Sequence, residues 1–347
     1  MNRKQLIVLV VIVALVAAAG WIVYQRGNAS WQTAAQTIGG KLLPNLPIND
    51  VAQMSISSGT NHLTLAREND LWRVRERGDY PANFSQISGL LMKLADLKIV
   101  QHDQAGPSEL ARFNLLPPGP GADDGTLLEL KDQNDKTVAT LLLGKDHMNQ
   151  PASGGGWPDG RYVIANNHNG DVALVSQTFD NVTSKPADWL DKSFFTVANP
   201  KSIAVTFPVA TNSWKLTRAS ETNDWKLADA RPGEKLDSSK VDDVTGSFDS
   251  LEFTDVSPGA TAPKDVETVK VETFGGTNYV AKIWPAGDDN DSMTIAIDSA
   301  APGRKKVAQS QFSNWTFEVP NYTFESLLKP RSNLLEPNAR AETTAAK

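Results

Sequence analysis

The sequence predicts an α+β protein in which an amino-terminal transmembrane helix is followed by two related domains, each a mostly antiparallel sheet with one principal packed helix. Three observations predict it. An apolar run follows two basic residues at the amino terminus, the chain repeats itself at long period, and each copy holds many alternating segments but one stretch of helical spacing.

The anchor comes first. Arg3 and Lys4 precede an apolar stretch over residues 6–24 that includes Leu6, Ile12, Leu15, Trp21 and Tyr24. At about 1.5 Å per helical residue its roughly 19 residues approach the ~30 Å hydrocarbon thickness, and Trp21 with Tyr24 suits the outer interface. The doubly basic end predicts an amino terminus on the cytoplasmic side of a bacterial inner membrane, with the bulk of the chain periplasmic or extracytoplasmic. A cleaved signal is the rival reading, since Ala17, Ala18 and Ala19 offer small residues for a peptidase. The expected division is 1–26 anchor, 27–47 linker, 48–198 first domain, 199–337 second domain and 338–347 disordered tail.

The repeat has an offset of roughly 150 residues, longer than solenoid periods. In the first copy Leu63, Leu65 and Arg67 alternate, a polar turn follows at 68–70, and Trp72 and Val74 resume the alternation. In the second, Trp214, Leu216 and Arg218 precede a turn at 221–224, and Trp225 and Leu227 follow. Each hairpin leads through a turn-rich loop into an apolar stripe at helical spacing: Ile87, Leu90, Leu91, Leu94 and Leu97, then Val241, Val244, Thr245, Phe248 and Leu251. Asn83 or Ser85 should cap the first helix and Ser238 or Ser239 the second. Gly89 and Gly246 fall inside these helices, each at a cost of about 1 kcal/mol against Ala, so a shared close approach of helix to sheet is expected.

Further strands are expected at 127–130, 138–143, 162–165 and 172–175, the last two joined at Asn169-Gly170, and in the second copy at 269–274, 279–284, 293–297 and 315–319.

Composition narrows the function classes. With 347 residues, 40% hydrophobic and a net charge of -6, the chain suits two ordinary globular domains. Arg304, Lys305 and Lys306 form the one basic cluster, at a turn, so nucleic acid is not an expected partner. There is no Cys, which excludes disulfides, thiol catalysis and a lipid-modified Cys. His62, His102, His147 and His168 lack ligand spacing, and Asp288, Asp289, Asn290 and Asp291 read as a turn rather than a calcium loop. Gly154, Gly155 and Gly156 lack a following Lys-Ser or Lys-Thr pair. No catalytic residue, cofactor or metal site emerges. Trp72, Trp189, Trp214, Trp225, Trp284 and Trp315 could line a carbohydrate or peptide groove, but strand positions favour core roles for them.

Leu42-Leu43-Pro44-Asn45-Leu46, Leu65-x-Arg67, Trp72-Arg73-Val74, Tyr80-Pro81-Ala82, Leu90-Leu91, Leu110-x-x-Phe113-x-Leu115, Leu141-Leu142-Leu143-Gly144-Lys145, Arg161-Tyr162-Val163 and Trp189-Leu190-Asp191-Lys192 together resemble an uncharacterised bacterial family of membrane-anchored repeat proteins. The resemblance is good from residue 42 to about 195 and looser beyond. Asn114, where a Gly is usual, and the Gly154-to-Trp157 insertion depart from the pattern. Members commonly sit beside gliding-motility-type ABC transporter genes. The resemblance therefore implies a non-enzymatic auxiliary or scaffold subunit of an ABC-type transport system of the cell envelope, with the membrane, a transporter permease or associated envelope proteins as partners. A polysaccharide- or peptide-binding module using a cleft between the copies is the alternative, and a hydrolase whose site assembles only in three dimensions is a third reading.

Overall fold

The computed structural model describes residues 38–149, 155–166, 170–249, 251–259, 261–287, 289–299 and 312–337. The anchor residues, the tail from 338 and the basic cluster at 304–306 lie outside them. Among the described residues no helix is long and apolar enough to cross a membrane. The chain forms two compact units: the described part of Met1–Glu76 with Ala82–Asp188, and Arg77–Pro81 with the described part of Trp189–Lys347.

In the first half the elements run β1 (Val51–Ser58), β2 (Asn61–Glu68), β3 (Leu71–Val74), β4 (Tyr80–Pro81), α1 (Phe84–Ala95), β5 (Ile99–Gln104), β6 (Thr126–Asp132), β7 (Thr137–Asn149), β8 (Trp157–Ala165) and β9 (Asp171–Val175). The second half runs β10 (Pro200–Thr206), β11 (Trp214–Thr217), β12 (Lys226–Leu227), α2 (Ser238–Gly246), β13 (Asp255–Pro258), β14 (Glu267–Thr273), β15 (Thr277–Pro285), β16 (Asn290–Ser299) and β17 (Trp315–Pro320). The sheet orders are β4-β3-β2-β1-β6-β7-β8-β9-β5 and β12-β11-β10-β14-β15-β16-β17-β13. Without the two-residue β4 they match strand for strand, from β1 with β10 to β9 with β17. Even an irregularity recurs, because a register shift separates Val51 from Gln53 in β1 and Pro200 from Ser202 in β10. A bulge bends its strand and fixes register, so both copies start their sheets in the same way.

Cross-strand rows carry the cores. Val74, Leu65, Met54, Leu130 and Ala139 are successive partners across β3, β2, β1, β6 and β7. Leu227, Leu216, Ile203, Val271 and Tyr279 repeat that row in the second sheet. Nearly every member of the two rows is buried, as side chains meeting directly across paired strands should be.

Helix α1 starts at Asn83, whose side chain accepts the Gln86 N–H at 3.1 Å, and it buries Ile87, Leu90, Leu91 and Leu94. The second helix corrects two expectations. Its cap is Asp237, which accepts the Ser239 N–H, rather than Ser238 or Ser239. It also ends at Gly246, so Phe248 and Leu251 are buried beyond the helix rather than on it. An ionised Asp accepts more strongly than a Ser hydroxyl and complements the positive end of the helix dipole. The expected close approach at the helix glycines is absent as well: a Cβ added at Gly89 or Gly246 would meet no atom within 4 Å.

Candidate functional site

The second unit holds a groove of about 850 Å³ lined by the 196–200 segment, the β11–β12 hairpin and one face of α2. The hairpin supplies Arg218, Asn223, Asp224 and Trp225. The helix supplies Ser238, Val241, Asp242, Thr245 and Gly246, and Asp249 follows it. The helical positions recur at three- and four-residue intervals, so one stripe faces the groove while Val244 is buried.

Arg218 organises the hairpin wall. Its Nε donates to the Pro200 carbonyl at 2.8 Å and its Nη1 to the Glu221 carbonyl at 2.7 Å. The guanidinium lies 4.8 Å from the Trp225 ring centroid and 5.7 Å from that of Phe274. A cation on an aromatic face fixes the indole at a modest desolvation cost. Asp224, Asp242 and Asp249 bring three carboxylates from three points of the wall, so the groove is acidic. Its described lining includes no His, Lys, Tyr or Cys side chain.

The six tryptophans named from the sequence do not converge. Trp72, Trp189, Trp214 and Trp315 are buried. The Trp214 indole donates to the Lys329 carbonyl at 2.9 Å and the Trp315 indole to the Arg77 carbonyl at 3.2 Å, which satisfies both buried N–H groups. Trp284 is half-buried in β15, and Trp225 alone of the six lines the groove.

The histidines also stay apart. His62 bonds Ser57 Oγ and Thr64 Oγ1, His102 pairs with Asp171, and His147 Nδ1 lies 2.6 Å from Asp159 Oδ1. His168 lies outside the described residues. Asp289, Asn290 and Asp291 stand where β15 turns into β16, and the Asp291 carboxyl is pushed up by burial and then by Glu267. Among the described residues no group of three or more His, Cys, Asp or Glu side chains could hold a metal ion.

A family model described as Domain of unknown function (DUF4340) matches residues 72–270. The chain belongs to this family. The DUF4340 span takes in the whole groove, from Thr196 to Asp249, together with most of the first sheet. No curated protein matches the chain, and no solved structure matches it. Asn114, unusual among the motif residues, adopts a left-handed conformation (φ 53°, ψ 43°) at the end of a short 3₁₀ turn. Asn follows Gly as the residue most tolerant of that region, so Asn114 suits this turn.

Sequence reasoning missed two ionic sites in the second unit. Arg331 is buried, donating from Nη1 to Asp229 Oδ1 at 2.7 Å and from Nη2 to Glu234 Oε2 at 2.8 Å, while its Nε has no partner. Those bonds hold both carboxyls below their ordinary range. Arg77 grips Asp255 178 residues away. No local periodicity announces either pair. The groove left a partial signal, because Arg218 and Trp225 flank one predicted turn.

Proposed function

We propose that this protein is a non-enzymatic, membrane-anchored extracytoplasmic subunit that serves an ABC-type transport system of the bacterial cell envelope as an auxiliary or scaffold. The observation that carries the reading is the basic-then-apolar run from Arg3 to Tyr24 ahead of two sheet units of one topology. A single span tethers such units beside a membrane complex, and a permease or associated envelope protein is the expected partner. Arg218, the one cation of the described lining, is committed to two backbone carbonyls and holds the hairpin wall in place.

Trp225 favours a second reading, in which the groove binds an envelope polysaccharide or peptide. A partly open indole flanked by Asn and Asp side chains can offer a stacking face with hydrogen-bonding neighbours.

Cross-linking of the tagged full-length chain in its native membrane, followed by mass spectrometry, tests the first reading. Recovery of transporter subunits is the expected result. Recovery of no membrane protein partner, with glycan or peptide binding lost in Trp225→Ala, would replace it with the second.

A further inference from the structure

The two sheets share their strand order but not their loops. The second unit joins β13 to β14 through residues 259–266, whereas the first joins β5 to β6 through the much longer 105–125. Loops of that length in compact domains often serve a function, and this one carries a 3₁₀ turn at Leu110–Phe113. It crosses one face of the sheet. Leu127, Leu142 and Ile164 alternate with the core residues Leu128, Leu141 and Val163, so they point to the opposite face. There they meet loop residues. Leu110, Phe113, Leu142 and Tyr162 pack around a buried cluster of Ala105, Leu115, Ile164 and Val172.

The loop is pinned tightly at several places, since a Cβ on Gly144 would overlap the Phe113 carbonyl and one on Gly170 would come within 2.8 Å of the Ala105 carbonyl. A Cβ on Gly125 would come within 2.9 Å of both the Asn114 carbonyl and Leu142 Cδ1, so only Gly allows that contact. Between these points a pocket of about 320 Å³ remains, whose walls include Pro107, Leu110, Pro117, Leu127, Leu142 and Ile164. That volume falls within the ~300–1,000 Å³ usual for small-molecule sites. It is too small for a helix of ~10 Å diameter, and its walls are almost entirely apolar side chains that offer a peptide backbone few partners. An alkyl chain needs none.

A cation lies on the far side of the buried cluster. Lys145 Nζ lies 5.4 Å from the Phe113 ring centroid and 6.0 Å from that of Tyr162, the two rings packed on the pocket's inner cluster. Its neighbours are engaged, Asp146 with Arg161 at 3.6 Å and His147 with Asp159. No carboxylate among the described residues pairs with Lys145.

We propose that this pocket binds the alkyl chain of a single-chain anionic amphiphile, with Lys145 holding the acidic head. Membranes containing the full-length chain are to be irradiated with a dodecanoic acid carrying a terminal diazirine, and the adducts mapped by mass spectrometry. Adducts on residues 105–118 or on Leu127, Leu142 or Ile164, displaced by unlabelled dodecanoate, are expected. Competitor potency should rise about fourfold per methylene from octanoate upward until the pocket is full. Lys145→Glu, a surface change, should weaken labelling by the acid about tenfold or more while sparing the matching diazirine alcohol. Scattered adducts, labelling that dodecanoate does not displace, or equal loss for acid and alcohol would each overturn the proposal. Unchanged labelling of the Lys145→Glu protein by the acid would overturn it too.

Discussion

Arg77 and Asp255 form a two-bond ion pair, Nε to Oδ1 and Nη2 to Oδ2, both at 2.7 Å. Each side chain is about one-quarter exposed, at 26% and 24%. Burial pushes the Asp255 carboxyl up, but the Arg77 bonds, the Val256 N–H and the Lys192 charge outweigh it, so it stays below its ordinary range. The pair sits beside an aromatic cage: Tyr80 meets Trp315, Phe253 and Phe317 edge-on at 5.1, 5.7 and 6.1 Å. Asp255→Ala removes both of these charge-assisted bonds from a guanidinium that is only about one-quarter exposed. It should lower the unfolding free energy by about 2–3 kcal/mol in urea titrations. Asp255→Asn keeps one acceptor and should cost less.

The open space at Gly89 gives a prediction of opposite sign. Because a Cβ there meets nothing within 4 Å, Gly89→Ala should stabilise the protein by about 1 kcal/mol through helix propensity. A raised urea midpoint at constant m-value is the expected signature. Destabilisation would mean that α1 needs its glycine for packing.

Acid should weaken the Arg331 site. Asp229 and Glu234, with ordinary values of 3.8 and 4.5, are both lowered in the folded chain by the Arg331 bonds. A carboxylate with a lowered folded pKa contributes stability that is present above the unfolded value and is lost as pH falls through the folded one. Stability should therefore decline as pH drops below about 4.5. In Arg331→Met the acid branch should be shallower. Chemical unfolding measured from neutral pH downward in both proteins checks this.

Trp72 and Trp225 stand at equivalent hairpin positions with different burial. Trp72 is 5% exposed within the first unit, whereas Trp225 is half-buried in the groove wall. Trp72→Ala should cost about 3–5 kcal/mol, as large core truncations do, and Trp225→Ala distinctly less. Parallel urea titrations would show the difference, and equal losses would make Trp225 a core residue.

Much of this fold was legible because alternation and helical spacing are local. Leu63 with Leu65, Trp214 with Leu216, and the Ile87-to-Leu94 stripe each declared its element within a few residues. The edge strands β5 and β13 left weaker signals. β5 is mostly exposed, with polar Gln101, His102, Asp103 and Gln104, while β13 is four residues long and ends at Pro258. The cap of α2 was misread because two serines follow Asp237 and compete with it as pattern matches. The candidate site was less legible than the fold. Its hairpin wall announced itself through Arg218 and Trp225, but the groove also needs the 196–200 segment and the turn after α2, whose nearness is set by tertiary packing.

The segment Arg77–Pro81 belongs to a unit whose other residues begin at Trp189, and this sets an order of events during synthesis. Arg77 emerges from the ribosome 178 residues before Asp255 and 238 residues before Trp315. At elongation rates of ~5–20 residues/s that is a wait of roughly 10–35 s for the first partner alone. Through that interval Tyr80, a ring destined for near-complete burial, has none of its three aromatic neighbours. A chaperone has that long to engage it, and a truncated chain that stops before Phe253 lacks all three rings.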